Sequence, residues 1–314
     1  MNGIELARAF YLQYGEPMLC EQFPQLTDLL AVGLCGSGSE CFGFDDEVSR
    51  DHDFEPGFCI FLPGENVIDR RAAFQLERAY AKLPREFAGL RRNLVQPVGG
   101  SRHGVLRTAE FFAEKAGAPD GELTLEQWFR VPEYALAEAV NGEIFADPYG
   151  EVTAIRRKLS CMPQDVRLKK LAGHLLLMAQ AGQYNYARCL AHGEKGAAQL
   201  AACAFVRSCM AAVFLLNARY MPFYKWSFRA MRALPRLSAL ADTMECLLTT
   251  DNDEPMDAVK QELIEDAASA VVDELQRQSL TDAVCTDLEK HAYSVNDRIE
   301  DADVRNRHIL YAVD

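Results

Sequence analysis

The stretch GLCGSGSECFGFDDEVSRDHDFEPGFCIFLP, Gly33 to Pro63, sets glycines, hydroxyls and acids between two apolar runs. LLAVGLCG predicts a buried strand that ends in a Gly-Ser turn, and FCIFLP predicts a second short strand closed by PGEN. Asp51 and Asp53 stand two apart ahead of the second run. On an extended chain residues i and i+2 face the same side, so both carboxylates would share one face. Two hard oxygen ligands on one face can hold one or two Mg²⁺ ions. A glycine at the end of a strand lets backbone N–H groups approach a triphosphate closely, and Ser37 and Ser39 would add hydroxyl donors. The plainer alternative is a Gly-Ser turn followed by a solvated acidic loop.

Other glycine motifs do not fit. No G-K-[ST] follows the turn, which excludes a Walker loop, and a dinucleotide fingerprint begun at Gly36 and Gly38 would need glycine where Cys41 stands. Neither serine lies in G-x-S-x-G, and RDHD sits too close to the glycines, without a downstream Asn, to be a kinase catalytic loop.

Strand, Gly-Ser turn and D-x-D together resemble the signature of the nucleotidyltransferase-fold superfamily, which includes the aminoglycoside and lincosamide nucleotidyltransferases. More narrowly, GSGSECFGFDDEVSRDHD resembles a bacterial family on that fold that carries a helical C-terminal half. GEIFADPYGEVTAIRRKL, ARYMPFYKWSFRAMRALP and RIEDADVRNRHILY agree with it, so the likeness touches most of the chain. The resemblance implies that Gly36 and Ser37 hold a triphosphate, that Ser39 is a further donor on the phosphate side, and that Asp51 and Asp53 bind Mg²⁺ or Mn²⁺ and serve catalysis. Asp45 and Asp46 belong to the narrower signature. Lys225, in YKW, would reach the phosphates from the helical half. Working members of the superfamily add a third carboxylate on a later strand, as metal ligand or base. Near RHGVLRTAEFF the candidate is Glu110, and Asp147 is a weaker one. Pro56 and Gly57 interrupt the apolar run that should follow D-x-D directly, so a bulged or broken strand is expected there.

Working outward, IDRRAAFQLERAYAKL has helical spacing with Ala73, Leu76 and Tyr80 on one side. HGVLRT predicts a third strand, TAEFFAEKAG a helix, and GEIFADPYGEVTAIRRKL a strand, a turn and a helix from near Glu151. The opening thirty residues predict a helix broken around Pro17 and Pro24. Strands and helices therefore alternate to about residue 155, and from Asp165 only helices follow. The expected organisation is an α/β, nucleotidyltransferase-like domain with a mixed sheet over 1–160 and an all-α domain over 161–314. MDAVKQELIEDAASAVVDELQRQ predicts an amphipathic helix with Met256, Val259, Leu263, Ala267, Val271 and Leu275 on its inner face.

The net charge of −13 is uneven: residues 1–241 hold 27 acids and 27 Lys or Arg, whereas residues 242–314 hold 19 and 6. An acidic surface repels nucleic-acid phosphates, which disfavours RNA or DNA as a partner and leans towards a cationic acceptor; the plainer reading is a solvated set of amphipathic helices with no charged partner. LAACAFVRSCMAAVFLLNARY is interrupted by Arg207 and reads as a buried helix rather than a membrane span. Ten cysteines without C-x-x-C argue against a zinc ribbon and, with no apolar leader, for a reducing cytoplasm. Arg219, Lys225, Arg229, Arg232 and Arg236 form a cationic run interleaved with Tyr220, Tyr224 and Trp226. A second basic cluster, Arg156, Arg157, Lys158, Arg167, Lys169 and Lys170, is expected on a solvated face near helix ends.

The function these features imply is transfer of a nucleoside monophosphate from ATP or another nucleoside triphosphate to an acceptor hydroxyl. A small molecule is the preferred acceptor, ahead of a protein side chain. The rival is a nucleotide-binding regulatory or interaction module that lacks a working base.

Overall fold

The structure, a computed structural model, describes residues 1–47, 54–92 and 102–313. The chain divides into two compact units, Met1–Gln127 with Val131–Cys161, and Trp128–Arg130 with Met162–Asp314.

The first unit is built on a four-stranded mixed sheet. Its strands are β1 (Ala31–Leu34), β2 (Cys59–Leu62), β5 (Gly104–Arg107) and β6 (Glu143–Ala146), in the order β5-β2-β1-β6. A two-stranded hairpin, β3 (Glu86–Phe87) and β4 (Leu90–Arg91), stands apart from it. β1 runs antiparallel to β2, with Val32 opposite Ile60, and β2 runs parallel to β5, with Ile60 opposite Val105. β6 closes the other side of β1, antiparallel, with a register shift between Val32 and Gly33. All residues of β1 and β2 are buried, as unbroken apolar runs require when both faces of a sheet are covered.

On one face Leu30, Val32, Ile60 and Leu62 join a core with α1 (Gly3–Phe10), α2 (Glu16–Gln22) and α3 (Arg70–Ala81), through Phe10, Leu19 and Leu76. On the other, Phe61 meets Phe111 of α4 (Thr108–Ala116), ring centroids 5.3 Å apart. α3 starts where Asp69 Oδ1 accepts the Ala72 N–H at 2.8 Å, and buries Ala73, Leu76 and Tyr80 as its spacing predicts. The Tyr80 hydroxyl donates to the Phe58 carbonyl at 2.8 Å and accepts from the Phe58 N–H at 3.1 Å, tying α3 to the approach of β2.

The break expected at Pro17 does not occur. A π-helical turn, Tyr11–Gly15, widens the helix ahead of it, and the proline occupies the first turn of α2, where its missing N–H is tolerated. Pro56 and Gly57 precede β2, so the paired strand starts six residues after Asp53.

After β5 come α4, α5 (Leu125–Arg130), α6 (Glu133–Val140), then β6 and α7 (Glu151–Leu159). The second unit is helical. α8 (Gln164–Met178) packs on α10 (Lys195–Leu216) and α14 (Leu288–Asp297). α8 continues into a π-helical segment, Ala179–Tyr186, and then α9 (Ala187–Ala191). α11 (Tyr224–Arg232), α12 (Leu240–Thr249) and α13 (Met256–Arg277) follow α10, and α15 (Ala302–Asn306) lies beyond α14. The mixed sheet followed by helices is the broad α/β-plus-helical organisation that the alternation predicts. α10 is long and apolar enough to cross a membrane, and 72% of its most apolar window is buried inside the protein.

Two expectations about charge are corrected. Lys169 and Lys170 do not lie on a solvated face: both are buried. The Lys169 ammonium donates to Asn296 Oδ1 at 2.8 Å and to the carbonyls of Arg305 and Arg307 at 3.1 and 2.6 Å. On α13 the inner face begins with Lys260 and Ile264 rather than Val259 and Leu263. Lys260 is drawn inward because its Nζ donates to Gln199 Oε1 and the Thr250 carbonyl and sits 5.8 Å from the Tyr186 ring centre.

Candidate functional site

β1 ends at Leu34 and delivers the turn Gly36–Ser39. Gly36 and Gly38 have φ of +110° and +132°, in the region that favours glycine, and a Cβ at Gly38 would lie 2.4 Å from Glu40 Oε1. Ser39, 9% exposed, opens a 3₁₀ turn over Glu40–Phe42, and its carbonyl accepts from the N–H groups of Phe42 and Phe44.

Two elements distant in sequence grip this turn. Asn141, which follows α6, accepts the Gly36 N–H at Oδ1 (2.9 Å) and returns a bond from Nδ2 to the Gly36 carbonyl (2.8 Å). One turn earlier on α6, Glu138 Oε2 accepts the Ser37 hydroxyl proton at 2.8 Å. Lys115, in the last turn of α4, donates to Ser37 Oγ at 3.0 Å and to Glu138 Oε2 at 2.9 Å. Burial alone would pull the Lys115 ammonium down, but its bond to Glu138 and the charges of Glu138 and Glu114 outweigh it. The net direction is upward, so this cation keeps its proton. Cys35, beside the turn, is pushed up to about 11 by burial, with Arg156 and Lys115 pulling the other way, and stays a neutral thiol.

Gly36 therefore spends its N–H on Asn141, and the Ser37 hydroxyl is engaged at both ends. The N–H groups of Ser37, Gly38 and Ser39 make no hydrogen bond to another described residue. Successive unbonded backbone donors at a glycine turn are the arrangement that receives anions. Glu40, 6% exposed, sets its carboxylate against Gly38 and Ser39, with Oε2 3.5 Å from Ser39 Oγ and Oε1 3.9 Å from Arg102 Nη1.

Asp51 and Asp53 lie outside the described residues, as does His52. Glu110 lies beyond β5, exposed in the first turn of α4, where a negative charge suits the helix end. Asp147 follows β6, and its two carboxylate oxygens accept the N–H groups of Gly150 (2.9 Å) and Thr153 (2.7 Å), so it caps α7. Asp45 Oδ2 accepts the Gly3 N–H at 2.9 Å, which joins the acidic run to the start of α1. Lys225 is the second residue of α11, in the second unit, with Nζ 5.2 Å from the Trp226 ring centre. Among the described residues no group of three or more His, Cys, Asp or Glu side chains is arranged to hold a metal ion.

The structure thus brings Gly36, Ser37 and Ser39 together and adds Lys115, Glu138, Asn141 and Glu40, which sequence reasoning missed. No local signal marks the first three of these: Glu138 and Asn141 contact residues more than 100 positions earlier. A family model described as a domain of unknown function (DUF4037) matches residues 128–227, just under a third of the chain. That span includes Glu138, Asn141 and Lys225. No curated protein and no solved structure matches the chain.

Proposed function

We propose that the sheet-bearing unit, Met1–Gln127 with Val131–Cys161, is a nucleotidyltransferase-like domain of a cytoplasmic protein that binds a nucleoside triphosphate with Mg²⁺ or Mn²⁺. It transfers the nucleoside monophosphate to a hydroxyl of a small, cationic acceptor. The observation that carries this reading is the Gly36–Ser39 turn at the end of β1, with three consecutive N–H groups that bond no other described residue and a protonated lysine beside it. Those donors would receive the triphosphate, and Asp51 and Asp53, which precede β2 in the sequence, would hold a divalent metal that supplies positive charge to the phosphates.

One observation favours a second reading, a nucleotide-binding module without turnover. Residues 93–107, which include all of β5, contain no carboxylate. The strand that runs parallel beside β2 therefore carries no third acid, and Asp147 is committed to α7.

Calorimetric titration of ATP with and without Mg²⁺, on the wild type and on Asp51→Asn/Asp53→Asn, tests the site; the other triphosphates follow if ATP is silent. Metal-dependent binding that the double variant loses is the expected result, and absence of binding to every triphosphate would sink the nucleotide reading. Pyrophosphate release over a panel of amino-sugar acceptors then separates transferase from module.

A further inference from the structure

The anion-receiving turn has an acid at its side. Glu138 Oε2 stands 2.8 Å from the Ser37 hydroxyl, and its side chain is only 17% exposed, so water does little to screen it. A phosphate that took the Ser37 proton would approach this carboxylate closely, and like charges at such range repel. Lys115 touches both partners. Its side chain is 13% exposed, and its ammonium is bonded to Ser37 and Glu138, with Glu114 at 3.4 Å as an exposed third neighbour. The ammonium has three donors, and the exposed Glu114 carboxylate, on its own helix, is the neighbour an incoming anion can displace most easily.

We propose that Lys115 is the phosphate-binding cation of the Gly36–Ser39 turn and that Glu138 is a built-in competitor that holds Lys115 and Ser37 until a polyphosphate arrives; this rests on the nucleotide reading above. On binding, the Ser37 hydroxyl turns its proton from Glu138 to a phosphate oxygen. Lys115 stays on Glu138 and donates to the same phosphate in place of Glu114. No covalent bond changes. Asn141 holds the Gly36 peptide throughout, so the backbone N–H groups of residues 37–39 keep their places as the side chains exchange partners.

The charges make opposite predictions for the two partners, which a merely structural network would not. Binding of ATP and of inorganic tripolyphosphate, each with Mg²⁺, is measured on the full chain for wild type, Lys115→Met, Glu138→Gln and the double variant. Loss of one charge-assisted bond predicts that Lys115→Met weakens both ligands by about tenfold or more. Glu138→Gln tightens both, because the competing charge is gone while an acceptor for Lys115 remains. The double variant recovers most of the loss, since the repelling carboxylate and its neutraliser leave together. A Lys115→Met protein that binds like wild type overturns the proposal and leaves the nucleotide site standing. A Glu138→Gln protein that binds more weakly overturns it as well. Wild type that binds neither ligand, nor any other nucleoside triphosphate, removes the nucleotide reading and this proposal with it. If Lys115→Met does not fold, Lys115→Arg, which keeps the charge and should keep the affinity, and Glu138→Gln decide the matter.

Discussion

His174, on α8, carries a buried Nδ1 that makes no hydrogen bond to a described residue. Burial first, then the charges of Lys170 and Arg207, pull its pKa down to about 3. The folded protein keeps this ring neutral to about pH 3, whereas the unfolded chain takes up a proton near 6.5. Between those values the unfolded state binds more protons, so stability present at neutral pH is lost as the pH falls. The urea midpoint of the wild type is expected to drop between pH 7 and pH 5, and that of His174→Gln to drop less. Equal drops in the two proteins would clear the ring of responsibility. The same residue scale shows where the sequence is hard to read. Lys169, Lys260 and Glu274 are buried ions, each satisfied by partners from other helices or loops. No local pattern of a single helix announces such partners, and a residue type that is ordinarily exposed is read as exposed.

At the scale of elements, local chemistry was legible wherever an element supplies its own signal. β1 and β2 announce themselves as apolar runs bounded by Gly, Pro and Asn, and α3 by its capping Asp69 and three-and-four spacing. The π-helical segments do not, because a wide turn is dictated by neighbours rather than by propensity. Gly182 shows why the segment Ala179–Tyr186 has its composition. A Cβ there would lie 2.3 Å from Phe205 of α10 and 2.8 Å from Ile264 of α13. The absent side chain is what lets three helical elements converge. Gly182→Ala is expected to destabilise the helical unit by about 1–3 kcal/mol through overpacking, read as a lower melting temperature with an unchanged helical spectrum. A variant as stable as wild type would mean that Phe205 swings away freely. The site sits at the other extreme of legibility. Its Gly-Ser turn is a local pattern, whereas Lys115, Glu138 and Asn141 meet that turn only through the sheet topology.

For the molecule as a whole, the division into two units does not follow the chain simply. Trp128–Arg130 belongs to the second unit although both flanks belong to the first. Phe129, 7% exposed, meets the Tyr311 ring edge-on at 5.6 Å between centroids and lies under the Arg307 guanidinium at 5.4 Å. Phe129→Ala is expected to cost about 3–5 kcal/mol, registered as earlier unfolding of the helical unit. By the same reasoning residues 162–314 alone should melt below their temperature in the full chain. Identical melting would show that the three residues contribute nothing.

The Lys169 ammonium also has a meaning in time. Its acceptors include the carbonyls of Arg305 and Arg307, 136 and 138 positions downstream. During synthesis α8 emerges early with a cation that only water can satisfy, and it cannot settle into its final surroundings until residue 307 has left the ribosome. A product stopped short of that point lacks the acceptors that let this charge be buried, so α8 keeps it in water. The cell's machinery for removing unfolded chains would meet it as unfinished.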